Sequence, residues 1–212
     1  MKKSELTPRA MARYDKILDA ACEVFLEQGF EKASVNEIVK RAGGSLATLY
    51  KLFGNKENLF EAILERKSEA IFAELEEEAK ASEEQDLESF LWRFGMKFFD
   101  MLAKCDSVAM VRILMAEGSR NEGKLGKIFY RHGPGKSEAI LERFLRKEHI
   151  KGKIAIEDIA LAAARFIFLV KEPFHFRSIA LGHPMNLSLE ERQRVVGEAI
   201  HIFLYGITKR SN

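Results

Sequence analysis

Apolar residues recur every three or four positions along most of the chain, and no segment sustains the two-residue alternation that is typical of a strand. In the first quarter of the sequence this spacing predicts three short helices, at 10–28, 34–42 and 45–53. A fourth, longer helix is expected to begin after Asn55, which is a good capping residue.

The rest of the chain carries longer apolar stripes with the same period. They predict further helices around the segments 87–102, 108–115, 125–129, 139–145, 156–170 and 188–205. The segment 156–170 is apolar almost all round, which is typical of a helix buried on more than one side. Pro173 is expected to bend or end it. The predicted fold class is therefore all-α.

Capping residues mark where the short helices start and stop. Gly29 is expected to close the first helix, because glycine adopts the left-handed conformation that ends many helices. Ser34 and Glu37 have the spacing of a capping box, in which a hydroxyl and a carboxylate bind free amides at a helix start. The second helix is expected to stop at the Gly43-Gly44 turn, and Ser45 to cap the third.

The three short helices can bury their stripes only against one another. A two-glycine turn between the second and third suits a helix-turn-helix, whose second helix enters the DNA major groove. That groove is about 12 Å wide and admits one helix. Leu49 and Phe53 share the face of the third helix that is expected to lie in the core, which leaves Tyr50 and Lys51 on the other side.

Composition narrows the functional class without identifying it. The chain has 212 residues, with 34 basic against 32 acidic side chains, so charge alone does not indicate a nucleic-acid binder. Two cysteines cannot build a disulfide framework, which favours a reducing compartment. The longest apolar run, at 159–170, is shorter than the roughly 20 residues of a membrane span, and no apolar stretch follows the basic start. We therefore predict a cytoplasmic protein without membrane contact.

The sequence gives little support to the hypothesis of a catalytic site or a metal site. The run GGSLA at 43–47 resembles a nucleophile elbow, but that turn needs a preceding strand, and a helix is predicted there. The five histidines form no i, i+4 pair and no cluster with other ligands. We predict no enzyme, no cofactor and no metal site.

Several runs carry a resemblance to a known family, namely AGGS at 42–45, TLYKLF at 48–53 and KENL at 56–59, with ILDAA at 17–21 upstream. Together they resemble the signature of the TetR/AcrR family of transcriptional regulators. The sequence departs from the family at Gly44, where a small apolar residue is usual, and this is expected to loosen the turn slightly.

The resemblance implies two domains. A helix-turn-helix DNA-binding domain is expected at 11–71, with its motif at 34–53. A larger helical ligand-binding and dimerisation domain is expected at 72–212. Through weaker similarity at 115–118, at 129–134 and in the order of the helices, the latter resembles the AcrR/AefR-like regulatory branch.

A set of DNA-contacting residues follows from the motif: Ser34, Ser45, Leu46, Ala47, Thr48, Tyr50, Lys51 and Lys56. The resemblance implies that the Tyr50 hydroxyl contacts a phosphate and that Lys56 is the phosphate-binding lysine of the family. Thr48 suits a base edge or a thymine methyl group. Leu46 is either a surface leucine or a thymine-methyl contact, and Lys51 either a solvated lysine or a DNA contact; both alternatives stay open here.

A ligand site is predicted in the second domain, where aromatic and methionine side chains offer adaptable apolar contact. Its expected residues are Phe94, Phe98, Met101, Leu102, Met115, Phe129 and His175, although each could instead be an ordinary core residue. The helices at 156–170 and 188–205 are expected to pair with a second copy in a homodimer.

We therefore predict a sequence-specific transcriptional regulator, a repressor that a small apolar or aromatic ligand releases from an inverted-repeat operator in double-stranded DNA. The alternative is a DNA-bound structural or partner-binding protein that uses the same head without a ligand.

Overall fold

The structure is a computed structural model that describes residues 6–81, 86–103, 105–117 and 121–207. Regular structure in these residues is helical, which confirms the predicted all-α class. The α-helices are α1 (Pro8–Lys32), α2 (Val35–Ala42), α3 (Leu46–Phe53), α4 (Lys56–Ala81), α5 (Leu87–Leu102), α6 (Cys105–Glu117), α7 (Lys124–His132), α8 (Pro134–Ile150), α9 (Ile159–Lys171), α10 (Phe174–Leu181) and α11 (Leu189–Tyr205). The basic start at 1–5 and the side chain of Cys105 lie outside this description.

Local sequence signals explain most of these boundaries. Gly29 leaves helical geometry at a φ of 75°, as its position predicts, but the chain resumes a final turn to Lys32. The Ser188 hydroxyl accepts from the amide of Glu191, whose carboxylate accepts from the amide of Ser188, so a complete capping box starts α11.

Two features of the second half differ from the sequence prediction. The helix expected from residue 156 begins at Ile159, because the Asp158 side chain accepts the amide hydrogen of Leu161 and caps it there. After Pro173 the chain forms α10, a helix that the apolar pattern did not predict.

The described chain divides into two compact units. The first unit comprises Met1–Glu69 and Ala109–Gly133, and the second comprises Ala70–Val108 and Pro134–Asn212. The core of the first unit is formed by α1 to α4, together with buried residues from the end of α6 and from α7: Met110, Ile113, Leu114, Leu125 and Ile128.

The second unit is built around an aromatic core in which α5 packs against α8, α9 and α11. Phe90 stacks on Phe144, with ring centroids 3.6 Å apart. The crossing of α5 and α11 is close: a Cβ atom added at Gly95 would lie 2.7 Å from Cγ1 of Val196. Glycine is therefore required at position 95 for these helices to approach as they do.

The helices in the described ranges lack any stretch with the length and hydropathy that a bilayer crossing requires.

Candidate nucleic-acid interface

The helix-turn-helix frame forms as the sequence predicts. The Ser34 hydroxyl accepts from the amide of Asn36 at 3.2 Å and caps α2. Gly43 ends α2 in the left-handed conformation, at a φ of 68°, which is costly for residues with a side chain. The Ser45 hydroxyl then accepts from the amide of Thr48 at 3.2 Å and caps α3. The two-glycine turn thus joins two capped helices of eight residues each.

The two faces of α3 differ as expected. Leu49 and Phe53 are buried in the core of the first unit, and the Phe53 ring stacks on Tyr14 at a centroid distance of 4.7 Å. The opposite face is open to solvent and carries these predicted DNA-contacting residues: Leu46, Ala47, Tyr50 and Lys51. Leu46 exposes 37% and Tyr50 48% of its surface. Their contact with DNA stays a prediction.

Thr48 is half-buried, and its hydroxyl is already engaged. The Oγ1 atom of Thr48 lies 2.9 Å from Oγ of Ser45, at hydrogen-bond distance. The two hydroxyl groups therefore orient each other at the N-terminus of α3. This end of the helix exposes amide hydrogens and the positive end of the helix dipole, an arrangement that favours a phosphate.

Lys56 makes two contacts within the protein. Its Nζ atom donates to the carbonyl oxygen of Glu31 at 3.0 Å and lies 4.8 Å from the ring centroid of Phe30. Partial burial lowers the pKa of the Lys56 amine, opposed by the carboxylates of Glu31, Glu117 and Glu57. The side chain thus ties the start of α4 to the end of α1. An ammonium group has three hydrogens, so the predicted phosphate contact is compatible with this role.

The capping box expected from Ser34 and Glu37 is only half formed. The Glu37 carboxylate accepts instead from Nε of Arg41, one helical turn later, at 2.9 Å. Arg41 also binds both carboxylate oxygens of Glu27, at 2.8 and 2.7 Å. These hydrogen bonds hold the pKa of Glu27 below its usual range. The Glu37 carboxylate therefore pairs with Arg41, which is also held by Glu27 of α1, and does not bind the backbone amide at the start of α2.

One contact at the turn between α2 and α3 had no signal in the apolar pattern. Arg13 on α1 donates to the backbone carbonyl of Ala42 at 3.1 Å and also to that of Gly43, at the end of α2. These residues are separated by about 30 positions in the sequence, so only the folded chain shows the contact.

The predicted ligand residues divide between the two units. Phe94, Phe98 and Leu102 are buried in the second unit, where Met101 packs against the same core. His175 is buried in that unit too; desolvation, followed by the charge of Lys171, lowers the pKa of its imidazole. Its Nε2 atom has no hydrogen-bond partner in the described part of the chain.

Met115 and Phe129 are placed differently. Met115 is 62% exposed, and Phe129 packs against the core of the first unit. Phe129 is thus assigned to the core of the first unit, whereas Phe94 and Phe98 belong to the core of the second. Apolar periodicity in the sequence predicts which face of a helix is buried, but it does not predict which other helix packs against that face.

A groove of about 880 Å³ lies between α9 and α11 in the second unit. Its walls are mostly apolar, formed by Leu161, Ala164, Phe168, Leu169, Pro173, Phe174, Val195, Ala199 and Ile202. Four charged residues, Arg165, Glu172, Arg194 and Glu198, also line it. Leu161 and Phe168 are 43% and 57% exposed there, so an apolar face remains uncovered in the single chain.

Two family models match the sequence. Residues 17–63 match the model for bacterial regulatory proteins of the tetR family. Residues 89–206, more than half of the chain, match the model for the C-terminal domain of AefR-like transcriptional repressors.

Individual proteins agree with these matches. The HTH-type transcriptional repressor ComR of Escherichia coli K12 is 36% identical over 105 residues, which are 50% of this chain and 47% of that protein. The chain spans between about a quarter and just over half of the length of the first curated relatives it matches.

Solved structures cover nearly the whole chain. A TetR-family regulator from Mesorhizobium loti superposes with a TM-score of 0.80 at 23% identity, over 93% of this chain and 98% of that one, which shows the fold. The flavonoid-responsive regulator FrrA superposes with a TM-score of 0.75 at 29% identity, over 94% and 98%. The capped helix-turn-helix, the helical second unit and the two family matches together establish that this chain belongs to the TetR family of DNA-binding transcriptional regulators, with an AefR-like C-terminal domain.

Proposed function

We propose that the protein is a homodimeric repressor that reads an inverted-repeat operator through α3 and leaves it when a small apolar or aromatic ligand binds. The observation that carries this proposal is the solvent face of α3, where Leu46 and Tyr50 stay exposed on a helix that is capped and anchored on its other side. A helix that is held on one side and open to solvent on the other can enter the major groove without rearranging the core behind it.

Two kinds of contact are expected on that face. The Tyr50 phenol, Lys51 and the N-terminus of α3 suit phosphate groups, which fix position and carry no sequence information directly. Thr48, Ala47 and Leu46 suit thymine methyl groups and base edges, which supply the sequence preference. The affinity of such an interface falls steeply with salt, because each neutralised phosphate releases counterions.

Dimerisation through α9 and α11 follows from their uncovered apolar face. A second copy is the occupant that fits, because the groove carries two cations and two anions, so a twofold-related copy can set opposite charges against each other. Neither Arg165 nor Glu198 has an ion-pair partner in the described part of one chain, although both line the groove. An obligate interface of this class buries about 2,000 Å² or more.

The ligand is proposed to enter the aromatic core of the second unit, near Phe94, Phe98 and His175. Among the buried polar atoms of this unit that lack a hydrogen-bond partner within the described residues are Oγ of Ser137 and Nε2 of His175. Unpaired buried groups are costly, so a ligand that carries a hydroxyl or carbonyl beside an apolar body would satisfy them. FrrA, which is responsive to a flavonoid, is a relative whose ligand has this character.

One observation favours the alternative, a DNA-bound protein that responds to no ligand. The aromatic residues of the second unit already fill one another's space: Phe94 contacts Phe98 and Phe166, with centroids 6.0 and 6.4 Å apart. A ligand would have to separate these rings, and their close packing opposes this.

Selection of bound duplexes from a random DNA pool tests the proposal directly. We expect an inverted repeat whose half-sites are one helical turn or a multiple apart, about 34–36 Å for one turn. Recovery of a single half-site, or of no preferred sequence, would contradict the dimeric reading. The selected duplex then serves in a release screen against flavonoids and other apolar aromatics, in which the absence of any active compound supports the alternative.

A further inference from the structure

The turn between α2 and α3 is held by a side chain from α1. Arg13 bonds through Nη1 to the carbonyl oxygens of Ala42 and Gly43, and the bond to Ala42 measures 3.1 Å. A helix leaves its last carbonyl groups without intrahelical partners. The amides of Gly43 and Gly44 bind two carbonyls one turn earlier in α2. Arg13 therefore satisfies the carbonyls at the turn itself and completes the end of the helix.

Gly44 gives this contact a second role. Its φ lies outside the left-handed region, so the backbone there accepts residues with a side chain. A Cβ atom at position 44 would meet Nη1 and Cδ of Arg13 at 3.6 and 3.8 Å, which is ordinary van der Waals contact. In this chain a glycine leaves that space open, and the arginine supplies the restraint that a side chain in the turn would otherwise provide.

The next residue of α1 holds the far end of α3. Tyr14 stacks on Phe53, the last residue of α3, with the two rings inclined by 28°. Adjacent residues of α1 therefore fix the turn that leads into α3 and the residue that ends it. Leu49, between these two ends of α3, is buried in the same core.

We propose that Arg13 is a positioning residue for the DNA-reading helix: its bonds to the turn set the orientation of α3 and offset the freedom that Gly44 introduces. The proposal rests on α3 being the helix that reads DNA. A flexible turn would let α3 sample several directions, and only one of them matches base edges. Loss of the Arg13 bonds is therefore expected to weaken sequence-specific binding and to leave non-specific attraction for phosphate unchanged.

The variant Arg13→Met tests this, because methionine keeps an unbranched apolar stem and removes the donors. Binding is measured by fluorescence anisotropy at several salt concentrations, with the duplex recovered from the random pool and with an unrelated duplex of equal length. We expect affinity for the selected duplex to fall about tenfold, while affinity for unrelated DNA and its salt dependence stay unchanged. Arg13→Lys should restore most of the loss, because an ammonium group also donates to carbonyls. Arg9→Met, on the exposed side of α1 one turn earlier, removes the same charge and serves as the control.

Hydrogen exchange at the Gly43 and Gly44 amides gives a readout that needs no DNA. It should accelerate in Arg13→Met, and adding Gly44→Ala to this variant should recover part of both exchange protection and operator affinity. If Arg13→Met cannot be studied folded, Arg13→Ala, which also removes the donors, takes its place, and unchanged exchange and selectivity in that variant would reject the proposal.

Two results would overturn it outright. Equal loss on both duplexes, with a salt slope lower by about one, would make Arg13 a phosphate contact. If Arg13→Met keeps the same ratio of affinities for the selected and the unrelated duplex, Arg13 does not position α3 for sequence recognition. Failure of the underlying assignment looks different: if α3 does not read DNA, changes at Thr48 and Tyr50 leave binding unaltered, while exchange at the turn still responds to Arg13→Met.

Discussion

Tyr50 illustrates how much a single exposed side chain on α3 is expected to contribute. Replacing it by phenylalanine removes one hydroxyl and leaves the ring, so a lost phosphate contact should weaken binding to every duplex about equally. We expect roughly a two- to tenfold loss, the usual effect of one hydrogen bond. Anisotropy titrations with selected and unrelated duplexes measure it. Tyr130→Phe, at a similarly exposed tyrosine of α7, is the matched control. A loss confined to the selected duplex would show that Tyr50 reads bases instead.

His175 predicts a dependence of stability on pH. Because burial and the neighbouring Lys171 lower its pKa below the ordinary value of 6.5, the unfolded chain binds a proton in conditions where the folded chain does not. The contribution of this residue to stability is complete above pH 6.5 and is lost as the pH falls below it, by at most about 1.4 kcal/mol per pH unit.

Thermal unfolding between pH 7.5 and 5 tests this in the unaltered chain and in His175→Gln. The glutamine variant should lose less stability across that range, because its side chain does not titrate. Parallel curves for the two proteins would show that another group controls the pH dependence.

Side-chain roles that depend on neighbours in the sequence were predictable. The caps by Ser34 and Ser45 and the division of α3 into buried Leu49 and exposed Tyr50 all follow from spacing within one helical turn. Arg13 was not predictable, because the chain must fold before it meets the turn. The same holds for Met115, since no local pattern tells which element, if any, covers a given face of a helix.

At the scale of the helices, the close contact of α5 with α11 predicts that a side chain at position 95 destabilises the protein. Gly95→Ala should destabilise the protein by about 1–3 kcal/mol, because a Cβ atom there would lie 2.7 Å from Cγ1 of Val196 and the helices must separate. This loss exceeds the gain of up to about 1 kcal/mol that alanine normally brings to a helix.

Urea unfolding compares this variant with Gly126→Ala in α7, where an added Cβ atom meets nothing within 4 Å and stability should rise. Adding Val196→Ala should recover part of the loss in Gly95→Ala. Equal effects of the two glycine replacements would show that helix propensity, and not contact between helices, controls the result.

Helices were predicted wherever an apolar stripe was long enough. The short α10 was missed because the sequence after Pro173 lacks a clear stripe, and its buried His175 and Ser178 are polar. The start of the helix expected at 156 was placed too early, since the apolar pattern continued past the capping Asp158. Apolar periodicity thus predicted the existence of helices better than their ends.

For the whole molecule, the groove between α9 and α11 predicts reciprocal ion pairs between two copies. Arg165→Glu and Glu198→Arg should each weaken self-association, because each change brings like charges together across the twofold axis. Mixing the two variants should restore a dimer, since every pair in the mixed species is again of opposite sign.

Analytical ultracentrifugation at micromolar concentration reports all three cases. Lys147→Glu on α8, a reversal of charge outside the groove, serves as the control. If both single variants remain dimeric, Arg165 and Glu198 do not pair across the interface. If the unaltered chain is monomeric, the proposed interface is wrong.

The division of the chain into units was the hardest feature to anticipate. The segment Ala109–Gly133 joins the first unit, because Ile113, Leu125 and their neighbours pack with helices from the start of the chain. Such packing depends on contacts that are distant in sequence, and apolar periodicity carries no information about them. The functional boundary near residue 72 stays a prediction.

The caps of α2 and α3 have a consequence for how this protein meets DNA. The Ser34 and Ser45 hydroxyl groups and the turn amides already have their partners in the free chain, so α2 and α3 are formed before DNA binds. The heat-capacity change of association should therefore be no larger than the contact area requires, without the excess that accompanies coupled folding. Because α2 and α3 are already ordered, we expect the DNA, and not these helices, to change conformation on binding. We expect operator preference to extend to base pairs that no side chain touches, where the sequence sets the stiffness of the duplex and the width of its grooves.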